Sequence, residues 1–215
     1  MKVAPEGRPF IGIATAVLVA FIGAWVIFGG GWWVAVVLWL PIAVWVPWFF
    51  RNPERTGRRG DDLIIAPADG KVVSIVEVDE PDFVKGKTTR ISIFMNVFSV
   101  HVNRYPTDGV VEYRKYSPGK FVNATLDKAS IDNEQMSLGL KSPGGPILVR
   151  QIAGLVARRI VTDDEAGSQV SQGDRLGIIR FGSRVDTFVS PDARITVSLG
   201  DQAVAGQTVI AEWPS

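Results

Sequence analysis

The chain has 215 residues, 47% of them hydrophobic and 21% charged, with 23 Lys and Arg against 22 Asp and Glu, one histidine and no cysteine. It can therefore build no disulfide framework, thiolate metal site or thiol nucleophile, and its lone imidazole, His101, excludes any metal site that needs two. A net charge of +1 supplies no basic field for holding nucleic acid.

From the N-terminus, no charged residue occurs between Arg8 and Arg51. Residues 10–28 and 32–50 are two apolar runs of 19 residues each, separated by Gly29, Gly30 and Gly31. As helices, each would reach about 28 Å, the thickness of a bilayer's hydrocarbon core. The expectation is a transmembrane helical hairpin, residues 1–50, with Trp32 and Trp33 at one interface and Trp45, Trp48, Phe49 and Phe50 at the other. Pro41 should kink the second span. The stretch is too long for the apolar core of a cleaved signal peptide. Lys2 and Arg8 precede the hairpin, and Arg51, Arg55, Arg58 and Arg59 follow it, so the positive-inside rule places both ends in the cytoplasm. The hairpin holds no ionisable residue and reads as an anchor, not a transport path.

Residues 51–60 read as a basic linker beside anionic headgroups. Without Lys2, Arg8 and Glu6, residues 51–215 carry 21 basic and 21 acidic side chains. Residues 61–215 are long enough for one domain with its own core. Asp69-Gly70 is a hairpin-type turn signal after Ile64 and Ile65. Strands are expected at 71–78, 90–95, 97–105, 110–116, 147–153, 159–161, 175–181, 184–189 and 194–199, with helical character only at 123–132. The fold class is therefore mainly β, a sandwich or barrel-like domain with a short helix, preceded by the hairpin.

The β domain contains no G-x-S-x-G elbow, P-loop or G-x-G-x-x-G. Three segments carry its polar residues: FMNVFSVHVNRYPTDG at 94–109, GKFVNATLDKAS at 119–130 and GIIRFGS at 177–183. In this order they resemble the phosphatidylserine decarboxylase family, most closely its short-chain bacterial branch, and the resemblance runs from about Asn52 to the end of the chain.

The resemblance implies a pyruvoyl enzyme made as a proenzyme that cuts its own backbone between Gly182 and Ser183. The products would be a β chain, 1–182, and an α chain, 183–215, that stay associated. Ser183 would become the pyruvoyl group, the only cofactor, with neither metal nor pyridoxal phosphate. A Schiff base between its ketone and the substrate amine would let phosphatidylserine lose carbon dioxide and become phosphatidylethanolamine. The implied partners are phosphatidylserine in the cell (inner) membrane, diacyl or ether-linked, and a second copy of the chain. The implied setting is the cytoplasmic face.

A serine hydroxyl is a weak nucleophile and needs a base or a distorted peptide. His101 is the one side chain that ordinarily titrates near neutrality, and on an alternating strand it shares a face with Ser99, Asn103 and Tyr105. Asp69 matches the family's aspartate before glycine, which helps a histidine activate the serine. Where longer-chain members carry a second histidine, this chain has Arg104. Either His101 covers two steps, or maturation leans on strain and Asp69. Arg104 is also a candidate for binding the lipid phosphate or the departing carboxylate. Arg180 and Arg184 flank the cleavage site and raise the same question. Two other classes fit parts of the chain. A carrier module is suggested by Gly173-Asp174-Arg175-Leu176-Gly177 and would need Lys71 in a tight hairpin; the other is an inactive membrane protein that keeps the fold.

Overall fold

The computed structural model of the chain describes residues 2–119, 133–154, 160–180 and 183–214. It divides into two units, Met1–Glu54 and Arg55–Ser215.

The first unit is the helical pair. After a 3-10 turn at Pro5–Gly7, α1 (Arg8–Phe28) runs to Gly29 and Gly30, whose φ angles of 62° and 64° only glycine adopts without cost, and α2 (Trp32–Phe49) returns. Both helices are long and apolar enough to cross a membrane. α2 continues through Pro41 and Pro47. Where α1 and α2 meet, the Trp39 indole N–H donates to the Ala14 carbonyl at 2.9 Å, so this polar group needs no water. At the open end, the Ala4 N–H donates to the Phe50 carbonyl at 2.8 Å and the Asn52 N–H to the Lys2 carbonyl at 2.9 Å, fastening the two flanks side by side.

The second unit is antiparallel β throughout its described residues. In chain order its strands are β1 (Leu63–Ile65), β2 (Gly70–Glu80), β3 (Gly86–Met95), β4 (Val102–Arg104), β5 (Gly109–Ser117), β6 (Gln135–Ser142), β7 (Gly145–Ala153), β8 (Ile160–Thr162), β9 (Gln169–Val170), β10 (Arg175–Ile179), β11 (Ser183–Val189), β12 (Arg194–Ile195), β13 (Gln202–Ala203) and β14 (Val209–Glu212). Eight of them form one sheet in the order β13-β2-β3-β11-β7-β6-β5-β9. Two three-stranded sheets, β1-β14-β12 and β4-β10-β8, share its core, in which Ile64, Ile91, Ile93, Leu138, Val149, Ile179, Val185 and Ile210 are buried together. The fold is mainly β, as expected.

Three local expectations change. Asp69-Gly70 does not close a hairpin, because β1 pairs with β14 and β2 with β3 and β13. The Asp69 carboxylate instead accepts from the Ala205 N–H at 2.8 Å, across 136 residues of sequence. The expected strand at 97–105 shrinks to β4, because the Asn96 side chain accepts from the N–H groups of Phe98 (2.8 Å) and Ser99 (3.1 Å) and holds a turn there. The expected strand at 194–199 is likewise only β12, and β6 carried no expectation at all. The helix expected at 123–132 lies outside the described residues.

Gly70 has a steric role. A Cβ there would stand 2.1 Å from the Phe94 carbonyl oxygen. Gly70→Ala should therefore destabilise the β unit by about 1–3 kcal/mol, read as a lower melting temperature. An unchanged melt would show that β2 and β3 need no such close approach.

Candidate active site

Ser183 is the first residue of β11, the strand held between β3 and β7. It stands opposite Met95 on one side and Ala153 on the other. Its side chain is fully buried, and Oγ has no hydrogen-bond partner among the described residues. A buried hydroxyl left unpaired costs free energy, which native structures rarely leave uncompensated without a chemical reason. Gly182 lies outside the described residues.

His101 is also fully buried. Its carbonyl accepts from the Ile179 N–H at 3.3 Å, next to the Val102–Ile178 pairing of β4 with β10. The chain leaving β10 at Ile179 therefore starts beside His101 and reaches Ser183 four residues later. The His101 Nδ1 lies 3.0 Å from the Ser99 carbonyl. A carbonyl can only accept, so Nδ1 is the donor in this contact.

Asn103, on β4, and Gln151, on β7, are buried on the same side of the large sheet as Ser183. The Gln151 amide donates to the Asn103 Oδ1 at 2.7 Å, and the Asn103 amide to the Met95 sulfur at 3.6 Å. Sequence reasoning placed Asn103 on the His101 face but missed Gln151, which has no local signal because its partner is 48 residues away.

Asp69 and Arg104 belong to a second cluster. Arg55 donates to the Asp69 Oδ2 at 2.7 Å, with both side chains largely buried, while the Asp69 Oδ1 holds the Ala205 N–H. Arg104 donates to the Gly173 carbonyl at 2.8 Å. Arg59 reaches the carbonyls of Gly206 (2.8 Å) and Gln172 (3.1 Å). Two residues of the segment read as a linker thus lie against the β unit. Burial, then the like charge of Arg55, lowers the Arg104 guanidinium below its usual value, and the Asp69 carboxylate opposes the shift. The register Lys71–Phe94 and Met95–Ser183 sets Asp69 two strands from Ser183, about 10 Å at ordinary strand spacing. Among the described residues, the Asp69 carboxylate bonds to Arg55 and Ala205, not to His101 or Ser183.

Arg184 and Asp186 point to the opposite face of β11 from Ser183 and pair with each other at 2.8 Å in full burial. Arg180 lies beyond β10 and is half-buried. Lys71, the residue a carrier module would modify, is exposed within β2 and not at a hairpin tip. Among the described residues, no three His, Asp or Glu side chains gather into a cluster that could hold a metal.

The structure thus places a buried serine without a hydrogen-bond partner among the described residues at the start of β11, and a buried histidine beside the end of β10. The sequence comparisons point the same way. The family model described as phosphatidylserine decarboxylase matches residues 42–211. A phosphatidylserine decarboxylase proenzyme from Symbiobacterium thermophilum is 46% identical over 215 residues, covering 99% of this chain and 96% of that protein. With the match spanning both the helical pair and the β unit, the chain belongs to the phosphatidylserine decarboxylase family.

Proposed function

We propose that the chain is a self-maturing decarboxylase that converts phosphatidylserine to phosphatidylethanolamine and carbon dioxide in phospholipid synthesis, with Ser183 as the source of its pyruvoyl group. The observation that carries this reading is the Ser183 hydroxyl, fully buried and without a partner among the described residues.

In maturation, the Ser183 Oγ attacks the carbonyl carbon of Gly182 while His101 takes its proton. The C–N bond breaks, the nitrogen is protonated, and an ester remains. Removal of the Ser183 Cα proton expels the Gly182 carboxylate and leaves dehydroalanine. Water then replaces its nitrogen, which departs as ammonia, leaving a ketone. The buried setting fits this group, because a small side chain there is shielded from water and faces the Asn103 and Gln151 amides. Once formed, the ketone supplies an electron sink for a primary amine that must lose a carboxylate.

His101 then returns a proton to the substrate's α carbon. Arg104 is the candidate for the lipid phosphate, and Asp69 serves as the counter-charge that orients Arg55 and Arg104. The α and β chains stay together because β11 remains bonded to β3 and β7 after the cut. The helical pair anchors the chain in the cell membrane with the β unit on the cytoplasmic side, where the substrate's acyl chains hold it at about 0.8 kcal/mol per buried methylene. The working enzyme is a homodimer.

Intact-mass analysis of purified protein tests this reading. It should give two fragments, the smaller lighter by one ammonia than simple hydrolysis would leave, together with phosphatidylethanolamine formation. A single full-length chain that still releases carbon dioxide would defeat it. His101→Gln should slow both maturation and turnover by on the order of 10²–10⁴-fold, measured as cleavage half-life and as carbon dioxide released. A variant that matures and turns over at the normal rate would remove His101 from the chemistry.

A further inference from the structure

Ser183 is not alone in having a buried polar atom without a partner. The Gln151 Oε1 is buried and unpaired among the described residues, and its side chain is fully enclosed. Val185 stands opposite Gln151, and Ser183 opposite Ala153, so Ser183 and Gln151 are diagonal neighbours on one face of the β11–β7 pair. Diagonal neighbours lie about 7–8 Å apart, within the reach of a long side chain. Ala153, directly opposite Ser183, contributes only a methyl group.

The orientation of the Gln151 amide is fixed from behind. The Asn103 amide donates to the Met95 sulfur at 3.6 Å, which turns its Oδ1 toward Gln151. That oxygen takes the Gln151 N–H at 2.7 Å, which leaves the Gln151 Oε1 facing away as an acceptor without a donor. A hydroxyl without an acceptor and an amide oxygen without a donor thus share one dry face.

We infer that Gln151, aligned by Asn103 and Met95, is the positioning residue for Ser183. Its Oε1, unbonded among the described residues, comes within reach of the hydroxyl as the uncut chain is poised for attack, accepts a hydrogen bond from it and so directs the oxygen lone pairs toward the scissile bond. A carboxamide is too weak a base to remove the proton, so this role sets geometry while proton removal stays with His101. The inference rests on Ser183 being the residue that cuts the chain, and it adds a determinant of how fast the cut occurs.

The test follows cleavage of freshly synthesised full-length chain across pH in four forms: wild type, Ser183→Ala, Gln151→Leu and Gln151→Asn. Leucine keeps the volume without an acceptor, and asparagine keeps the amide but withdraws it by one methylene. Both Gln151 variants should mature at least tenfold more slowly at the plateau, with the pH midpoint of cleavage unchanged because the base is untouched. Should the leucine form fail to fold, the asparagine form decides the matter. Maturation of either folded variant at the wild-type rate overturns the inference, as does a slow variant whose pH midpoint has moved. Cleavage of Ser183→Ala would instead sink the underlying reading of Ser183, so the two failures are distinguishable.

Discussion

Ser183→Ala will emerge from expression as one uncut chain and will release no carbon dioxide from phosphatidylserine. The substitution deletes a single oxygen, and that oxygen holds no hydrogen bond among the described residues. Removing an unpaired buried hydroxyl relieves a desolvation cost of about 1–3 kcal/mol, less the small void it leaves. The variant should therefore melt at or above the temperature of an uncut wild-type chain. Lost activity combined with undiminished stability is the diagnostic result. A variant that loses activity by unfolding would instead assign Ser183 a packing role, and one that still yields two fragments would move the cut elsewhere.

The largest effect on stability is expected at Asp186. Its carboxylate and the Arg184 guanidinium pair at 2.8 Å in full burial, so their mutual attraction offsets part of the desolvation each suffers. Asp186→Ala takes a bonded counter-charge from a buried guanidinium and should cost about 3–5 kcal/mol. For a unit of this size, that is a fall in melting temperature on the order of 10 °C. The double variant Arg184→Met, Asp186→Leu removes both charges and should recover most of the loss, since apolar replacements of buried ion pairs are often neutral or stabilising. Thermal melts of the single and double variants, made on a Ser183→Ala background so that every sample is one chain, read this directly. Equal losses in both would mean that the pair's partners elsewhere matter more than the pair.

The sequence made some of this architecture readable for physical reasons. The helical pair announces itself because no charge interrupts residues 9–50, and β2, β3, β7 and β11 because β-branched residues recur along them. β6 stayed hidden because Gly139 breaks its pattern; the structure explains the glycine, since a Cβ there would stand 2.6 Å from the Phe83 ring. Asp69-Gly70 carries the signature of a local turn, yet its carboxylate is used across 136 residues, a distance no dipeptide rule can see. Ser183, His101 and Arg104 were singled out as candidates through their motifs. Gln151 was not, because what singles it out is an unpaired oxygen, a property of packing and not of order along the chain.

The central berth of β11 also fixes the sequence of events in the molecule's life. A strand bonded on both flanks can take its place only while the sheet is forming, so folding must be finished before the backbone is opened. The piece that the proposed cut at Ser183 would sever also supplies β13 and β14 to two different sheets, so withdrawing it would dismantle the sheets that hold it. Mature molecules should therefore not trade small subunits when differently labelled preparations are mixed. Each one would then keep for life the fragment with which it was translated.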